Sequence, residues 1–166
     1  GEFGAFVAFI RAGGEVSLQG LAERIREAPA LAFAYLNGAL VGISALKIPR
    51  SSYRSRVSAK CGVPLPAASL PFELGWVYVS PEARNQGISL LLSKAALAAR
   101  GKSGAFATAR TDNVHMHSSL IKLDFQPIGN AFISGRGKHS IQVFACNAAQ
   151  PRAQAEVHEE PRTPLS

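Results

Sequence analysis

Residues 77–92 read VYVSPEARNQGISLLL, and this stretch decides the fold. Val77 to Ser80 are strand formers, closed by Pro81, which has no amide hydrogen to continue a ladder. From Gly87 the pattern turns helical. Ile88, Leu91, Leu92, Ala95, Ala96 and Ala99 form one stripe and predict a helix to about Arg100. Between strand and helix lies Arg84-Asn85-Gln86-Gly87-Ile88-Ser89. The first turn of a helix carries amides with no intrahelical acceptor, and the dipole adds partial positive charge there. Such a strand–loop–helix offers an anion cradle suited to a pyrophosphate. Gly87 lets a phosphate approach the backbone, Ser89 brings a hydroxyl, and Arg84 a forked cationic donor. The stretch has neither the Gly-Lys-Ser/Thr of a P-loop nor the triple glycine of a dinucleotide fingerprint.

Working outward, Glu73 to Ser80 completes the strand. Upstream, Ser17 is placed as the N-cap of a helix from Leu18 to Ala28, ended by Pro29. Leu31–Leu36 and Ala39–Lys47 are apolar runs joined by Asn37-Gly38, a hairpin signal because both turn positions need positive φ. The basic segment 48–70 is expected to hold a short helix over Ser52–Lys60 and then a proline-broken loop. Downstream, Gly101 and Gly104 end the long helix, and Ala105–Ala109 reads as a short buried strand. A helix over Asn113–Leu123 follows, capped by Thr111 or Asp112. The strands Pro127–Ser134 and His139–Cys146 then flank a turn at Gly135–Lys138. The order helix, hairpin, strand, helix, strand, helix, paired strands describes a mixed α/β domain whose strand–helix–strand crossover makes one parallel pair. The folded unit is expected over residues 1–146, its N-terminal end left open because the chain starts at Gly1 rather than methionine. Residues 147–166, rich in Ala, Pro, Glu and Arg, are expected to be a loosely ordered tail.

Residues 30–145 together resemble the GNAT acyltransferases. Arg84-x-x-Gly87-x-Ser89 is similar to that family's Q/R-x-x-G-x-G/A signature, and Asn113 through Phe125 to its N-x-x-A-x-x-x-Y-x-x-x-G-F segment. The resemblance implies a GNAT-like fold with a splayed parallel pair near 73–80 and 104–109. It also implies acetyl-CoA as co-substrate, with no metal. Pantetheine would pair with the backbone of Val77, Tyr78 and Val79. The pyrophosphate would rest on Arg84, Asn85, Gln86, Gly87, Ile88 and Ser89, and Asn113 would approach the pantetheine arm or acyl end. Lys94, Arg100, Lys102 or Lys122 would meet the 3′-phosphate. The chain departs from the pattern at Ser89, at Asp124 in place of the glycine, and at Leu120, where many members carry a tyrosine acid.

Acetyl transfer to an amine requires a neutral amine, a polarised carbonyl and a stabilised thiolate. A strand amide near Val79 is expected to polarise the carbonyl. Glu73 is the candidate base, its other readings being a strand-end charge or a partner for one of the arginines. Asn113, His117 and Leu120 share a helical face, which makes His117 the candidate acid in place of Leu120, its other reading being a surface histidine. The resemblance implies that the acceptor enters opposite the cofactor, between the early helices and the last hairpin. If Arg50, Tyr53, Arg54 and Arg56 on one side and Arg136 and Lys138 on the other face that cleft, they suit an acceptor bearing carboxylate or phosphate, their other reading being solvated surface residues.

The 166-residue chain carries +7; residues 151–166 hold two arginines against three glutamates, so the rest carries +8. That field suits anionic partners. A nucleic-acid-binding domain is one alternative, although no helix-turn-helix, zinc knuckle or aromatic RNA platform is recognisable. An acyl-CoA-binding or sensing module with little transferase activity is the other. Cys61 and Cys146 lie far apart in sequence and read as buried small hydrophobes. No apolar run reads as a membrane span, and Phe3–Ile10 is short for a signal peptide with no basic residues before it, so a cytoplasmic monomer or homodimer is expected.

Overall fold

The computed structural model describes residues 1–14, 17–135 and 137–147. Six strands form one sheet in the order β1-β2-β3-β4-β6-β5. They are β1 (Ala30–Leu36), β2 (Ala39–Lys47), β3 (Phe72–Val79), β4 (Ala105–Arg110), β5 (Gln126–Ile133) and β6 (Ser140–Cys146). The helices are α1 (Glu2–Gly13), α2 (Leu21–Glu27), α3 (Ser51–Cys61), α4 (Ile88–Leu97) and α5 (Val114–Lys122). The hairpin turn is as its sequence requires, with Asn37 at φ 50° and Gly38 at φ 79°. Neighbouring pairs are antiparallel except β3 with β4, which are parallel and joined through α4.

Strand alternation divides the core into two layers. Phe6, Ile10, Leu21 and Ile25 of α1 and α2 cover Ile43 and Ala45, with Leu31, Phe33, Trp76 and Tyr78 packed around them. Val57 and Cys61 of α3 meet Phe106 and Val143 on that same face. On the opposite face α4 and α5 bring Ala96, Leu97 and Leu120 against Leu46, Leu74, Ala105, Ala107 and Phe144. Each fully buried Phe or Ile contributes about 1.5–3 kcal/mol over leaving it in water, so both layers hold the sheet. Cys61 and Cys146 are both buried free thiols.

Several sequence expectations are corrected. The apolar stretch Phe3–Ile10 is a helix, its Phe6 and Ile10 wholly or almost wholly buried at i, i+4 spacing. Ser17 does not cap α2; Gly20 does, because the Arg24 guanidinium holds the carbonyls of Ser17 and Gln19 and keeps that segment a loop. Helix α4 turns Leu92, Ser93, Ala96 and Leu97 inward and leaves Leu91 66% exposed, so the stripe through Leu91, Ala95 and Ala99 has the wrong phase. With apolar residues on nearly every side, periodicity cannot fix which face is buried. Asn113 itself caps α5 through Oδ1 to the Met116 amide at 3.1 Å, while Asp112 pairs with Arg110 at 2.8 Å. Of the expected Gly135–Lys138 turn, Arg136 lies outside the described residues, as does the tail beyond Asn147.

No helix among the described residues is long and apolar enough to cross a membrane.

Candidate active site

Parallel pairing between β3 and β4 lasts three residues, Phe72–Leu74 against Ala105–Ala107. Beyond that point β3 stays bonded to β2 as far as Val79, and β4 stays bonded to β6 as far as Arg110. The two strands therefore diverge, each held by its outer neighbour. A bulge adds to this. Ile43 and Ala45 of β2 face Tyr78 and Gly75 of β3, so two β3 residues stand opposite one, and Trp76 takes a φ of 50°. The bulge shifts the alternation: Glu73 and Gly75 face the α1–α3 side before it, Trp76 and Tyr78 after it.

A cavity of about 550 Å³ opens where the strands part. Phe9, Ile10 and Gly13 of α1 wall it, with Tyr53 and Arg56 of α3, Glu73 to Tyr78 of β3, Thr108 to Arg110 of β4, and Asn113 and Met116. Glu73 lies on this wall at 2% exposure. A carboxylate so buried requires compensation, and it has two partners. Lys47 Nζ sits 2.6 Å from Oε1, and the Tyr53 hydroxyl donates to Oε2 at 2.6 Å. Gly75 makes the ion pair possible: a Cβ there would stand 2.6 Å from Lys47 Cε. The ammonium also lies 4.8 Å from the centre of the Trp76 ring. Desolvation of the Tyr53 hydroxyl, reinforced by the Glu73 charge, holds the phenol well above its usual pKa near 10. The phenol therefore stays protonated and donates.

The anion segment lies on the exposed surface beside this cavity, not in its wall. Gly87 is the N-cap of α4 at φ 75°, and Asn85 is at φ 63°. The first helical bond runs from the Leu91 amide to the Gly87 carbonyl at 3.2 Å, so the amides of Ile88, Ser89 and Leu90 have no intrahelical acceptor. No side chain caps them. Arg84 is exposed; its Nε donates to the Val79 carbonyl at 2.9 Å, and its guanidinium lies 5.7 Å from the Tyr78 ring centre. Asn85, Gln86 and Gly87 are exposed, Ile88 and Ser89 half-buried.

Val77, Tyr78 and Asn113 line the cavity; Val79 does not, being turned toward Val41, Ala83 and Leu92. His117 is also absent from the wall. Its Nε2 lies 2.9 Å from the Arg110 carbonyl and its ring stands edge-on to Phe144 at 4.9 Å. Leu120 is wholly buried in the core. Among the expected acceptor-side residues, Arg50, Tyr53 and Arg56 reach the cavity, and Lys138 does not line it. Arg54 turns inward, donating to the carbonyls of Leu65 at 2.9 Å, Leu70 at 2.7 Å and Pro71 at 3.3 Å. Lys47 was not singled out in the sequence, where it is the polar end of an apolar strand. Only the pairing of β2 with β3, which sets Lys47 opposite Glu73, brings the two together.

No protein-family model matches the chain, and no curated protein matches it in sequence. Solved structures do match in fold. A GNAT-family acetyltransferase of Streptococcus agalactiae superposes with a TM-score of 0.64 at 11% identity, covering 90% of this chain and 91% of that one. A putative acetyltransferase of Salmonella typhimurium, yncA, solved with its cofactor acetyl-CoA, gives 0.52 at 18% identity over 75% and 69%. An IAA acetyltransferase of Bacillus cereus gives 0.53 at 15% identity over 80% and 86%. The chain has the GNAT acyltransferase fold, as the sequence resemblance implied.

Proposed function

We propose that this protein is a GNAT-type N-acetyltransferase that moves an acetyl group from acetyl-CoA to a primary amine by direct attack within a ternary complex. The observation that carries the proposal is the early parting of β3 and β4, which leaves β3 beyond Leu74 without a partner on its β4 side, above a cavity. Unpaired strand backbone next to a cavity is a poor energetic choice unless another chain-like group bonds to it. The pantetheine arm is such a group, and Val77, Tyr78 and Val79 are its candidate strand. The pyrophosphate rests on the free amides after Gly87, with Arg84 as counter-charge and Asn85, Gln86, Ile88 and Ser89 around it. Asn113 stands at the acyl end. A small fold of this type, together with the acetyl-CoA held by the Salmonella structure, supports the choice of co-substrate.

The chemistry follows from the buried cluster. The acceptor ammonium gives one proton to Glu73, directly or through one water, and the freed amine attacks the thioester carbon. A backbone amide of β3 near Val79 stabilises the oxyanion. As the carbon–sulfur bond breaks, the Tyr53 phenol passes its proton to the CoA sulfur and takes the proton Glu73 received. The second proton, shed by nitrogen as the amide forms, goes to Glu73 and on to solvent. Lys47 holds the carboxylate in place throughout. The bond between His117 and the Arg110 carbonyl gives that histidine a structural task, so Tyr53 takes the acid role at the cavity.

Calorimetric titration of acetyl-CoA, with ATP as control, tests the reading: selective micromolar binding is expected, and no binding would sink it. The burial of Leu120 favours one second reading, an acyl-CoA-binding module without transfer. Binding with no CoA release over a broad panel of amines would select it.

A further inference from the structure

We infer that the acceptor is an anionic amine, a small molecule bearing a carboxylate or phosphate within a few bonds of its amino group, bound through Arg50 and Arg56. The inference rests on the transferase reading and adds the substrate class. The cavity wall holds five cationic side chains, Arg24, Lys47, Arg50, Arg56 and Arg110, against one carboxylate, Glu73. Three of the cations already have tasks. Lys47 neutralises Glu73 at 2.6 Å, Arg110 pairs with Asp112 at 2.8 Å, and Arg24 holds backbone carbonyls.

Arg50 and Arg56 differ. Neither makes a hydrogen bond or ion pair among the described residues; Arg56 lies 5.6 Å from the Tyr53 ring centre, where its charge acts on the phenol, and Arg50 lies against Gly20. Both are exposed and line the same cavity as the Tyr53–Glu73 pair, where the amine would lose its proton. Arg56 also stands at a junction. A second cavity of about 490 Å³ shares Tyr53, Arg56 and Thr108 with the first and adds Lys60, whose ammonium lies 5.8 Å from the Phe132 ring centre. A cationic acceptor such as a polyamine would meet like charge along this whole approach. An acceptor with one negative group would satisfy two forked donors while its amine faces Glu73.

The test compares matched amines as acceptors: dicarboxylic amino acids against their amides, phosphoethanolamine against ethanolamine, and a polyamine. The anionic member of each pair should be preferred in kcat/KM by at least about tenfold, the effect expected of one charge-assisted hydrogen bond. The two pairs separate carboxylate from phosphate as the recognised group. Arg50→Gln and Arg56→Gln should each cut the kcat/KM preference for the anionic member over its neutral partner about tenfold, a charge-specific change that lost packing would not produce. Rising salt should raise the anionic KM alone. Equal or better use of neutral or cationic amines overturns the inference, as does binding of acetyl-CoA with no anionic amine acetylated. Failure to bind acetyl-CoA would instead overturn the transferase reading beneath it.

Discussion

Gly87 offers a perturbation whose effects on folding and on ligand binding differ in sign. At φ 75°, with nothing within 4 Å of a Cβ, Gly87→Ala meets no clash and costs only left-handed strain, about 1–2 kcal/mol. For a chain of 166 residues, each kcal/mol lowers Tm by about 2–4 °C. Gly87→Glu adds the same strain but sets a carboxylate at a helix N-terminus, which returns about 0.3–1 kcal/mol. The glutamate variant should therefore melt at or slightly above the alanine variant. Acetyl-CoA should respond in the opposite sense. A carboxylate about 5 Å from one phosphate charge, at an effective dielectric of about 20, repels it by about 3 kcal/mol. Because the segment is exposed, salt screens part of this, and the expected loss of affinity lies between roughly tenfold and 150-fold. The assay is paired calorimetry and thermal melting of both variants, repeated at high salt, where the gap should narrow. A Gly87→Glu protein that binds acetyl-CoA as tightly as Gly87→Ala would refute the anion site after β3.

Three further outcomes are expected. Lys47→Met leaves the buried Glu73 carboxylate with the Tyr53 hydrogen bond and the nearby Arg54 charge but no ion pair, and should cost about 3–5 kcal/mol in denaturant unfolding; Lys47→Met with Glu73→Gln should regain most of that, and a single variant as stable as the parent would show that Lys47 does not compensate the charge. Tyr53 has a folded pKa raised above the ordinary value, so its contribution is complete below pH about 10 and declines as pH rises from there through the folded value. Tyr53→Phe should flatten this alkaline loss of stability and also slow acetyl transfer, and an alkaline limb unchanged in the variant would remove Tyr53 as its source. Asn113→Ala removes the α5 cap and should cost about 1 kcal/mol in thermal unfolding; a variant melting with the parent would leave Asn113 without a capping role.

The sequence by itself determined most of the elements. Asn37-Gly38 set the first hairpin because few other pairs take positive φ at both turn positions. The change from strand alternation to helical spacing at Gly87 set the crossover, and with it the anion cradle, because a helix start after a strand always presents free amides. Glu73 was legible as a carboxylate at the opening of that strand. Helix α1 was not read from the sequence, because Phe3–Ile10 is short and apolar, and only its packing on the sheet shows that Phe6 and Ile10 form a buried helical face. What only the tertiary structure decided lies between elements. The phase of α4 depended on which side the sheet took, since the helix is apolar nearly all round. The bulge at Trp76 has no mark in the letters of residues 73–80, where Trp76 to Val79 are apolar without a break, because it arises from register against β2. Lys47, Tyr53 and Glu73 come from three elements separated by loops, and nothing local signals that they meet. Their meeting is a consequence of burial: once pairing put Glu73 inside, its charge required a cation and a donor, and the fold brings both within 2.6 Å.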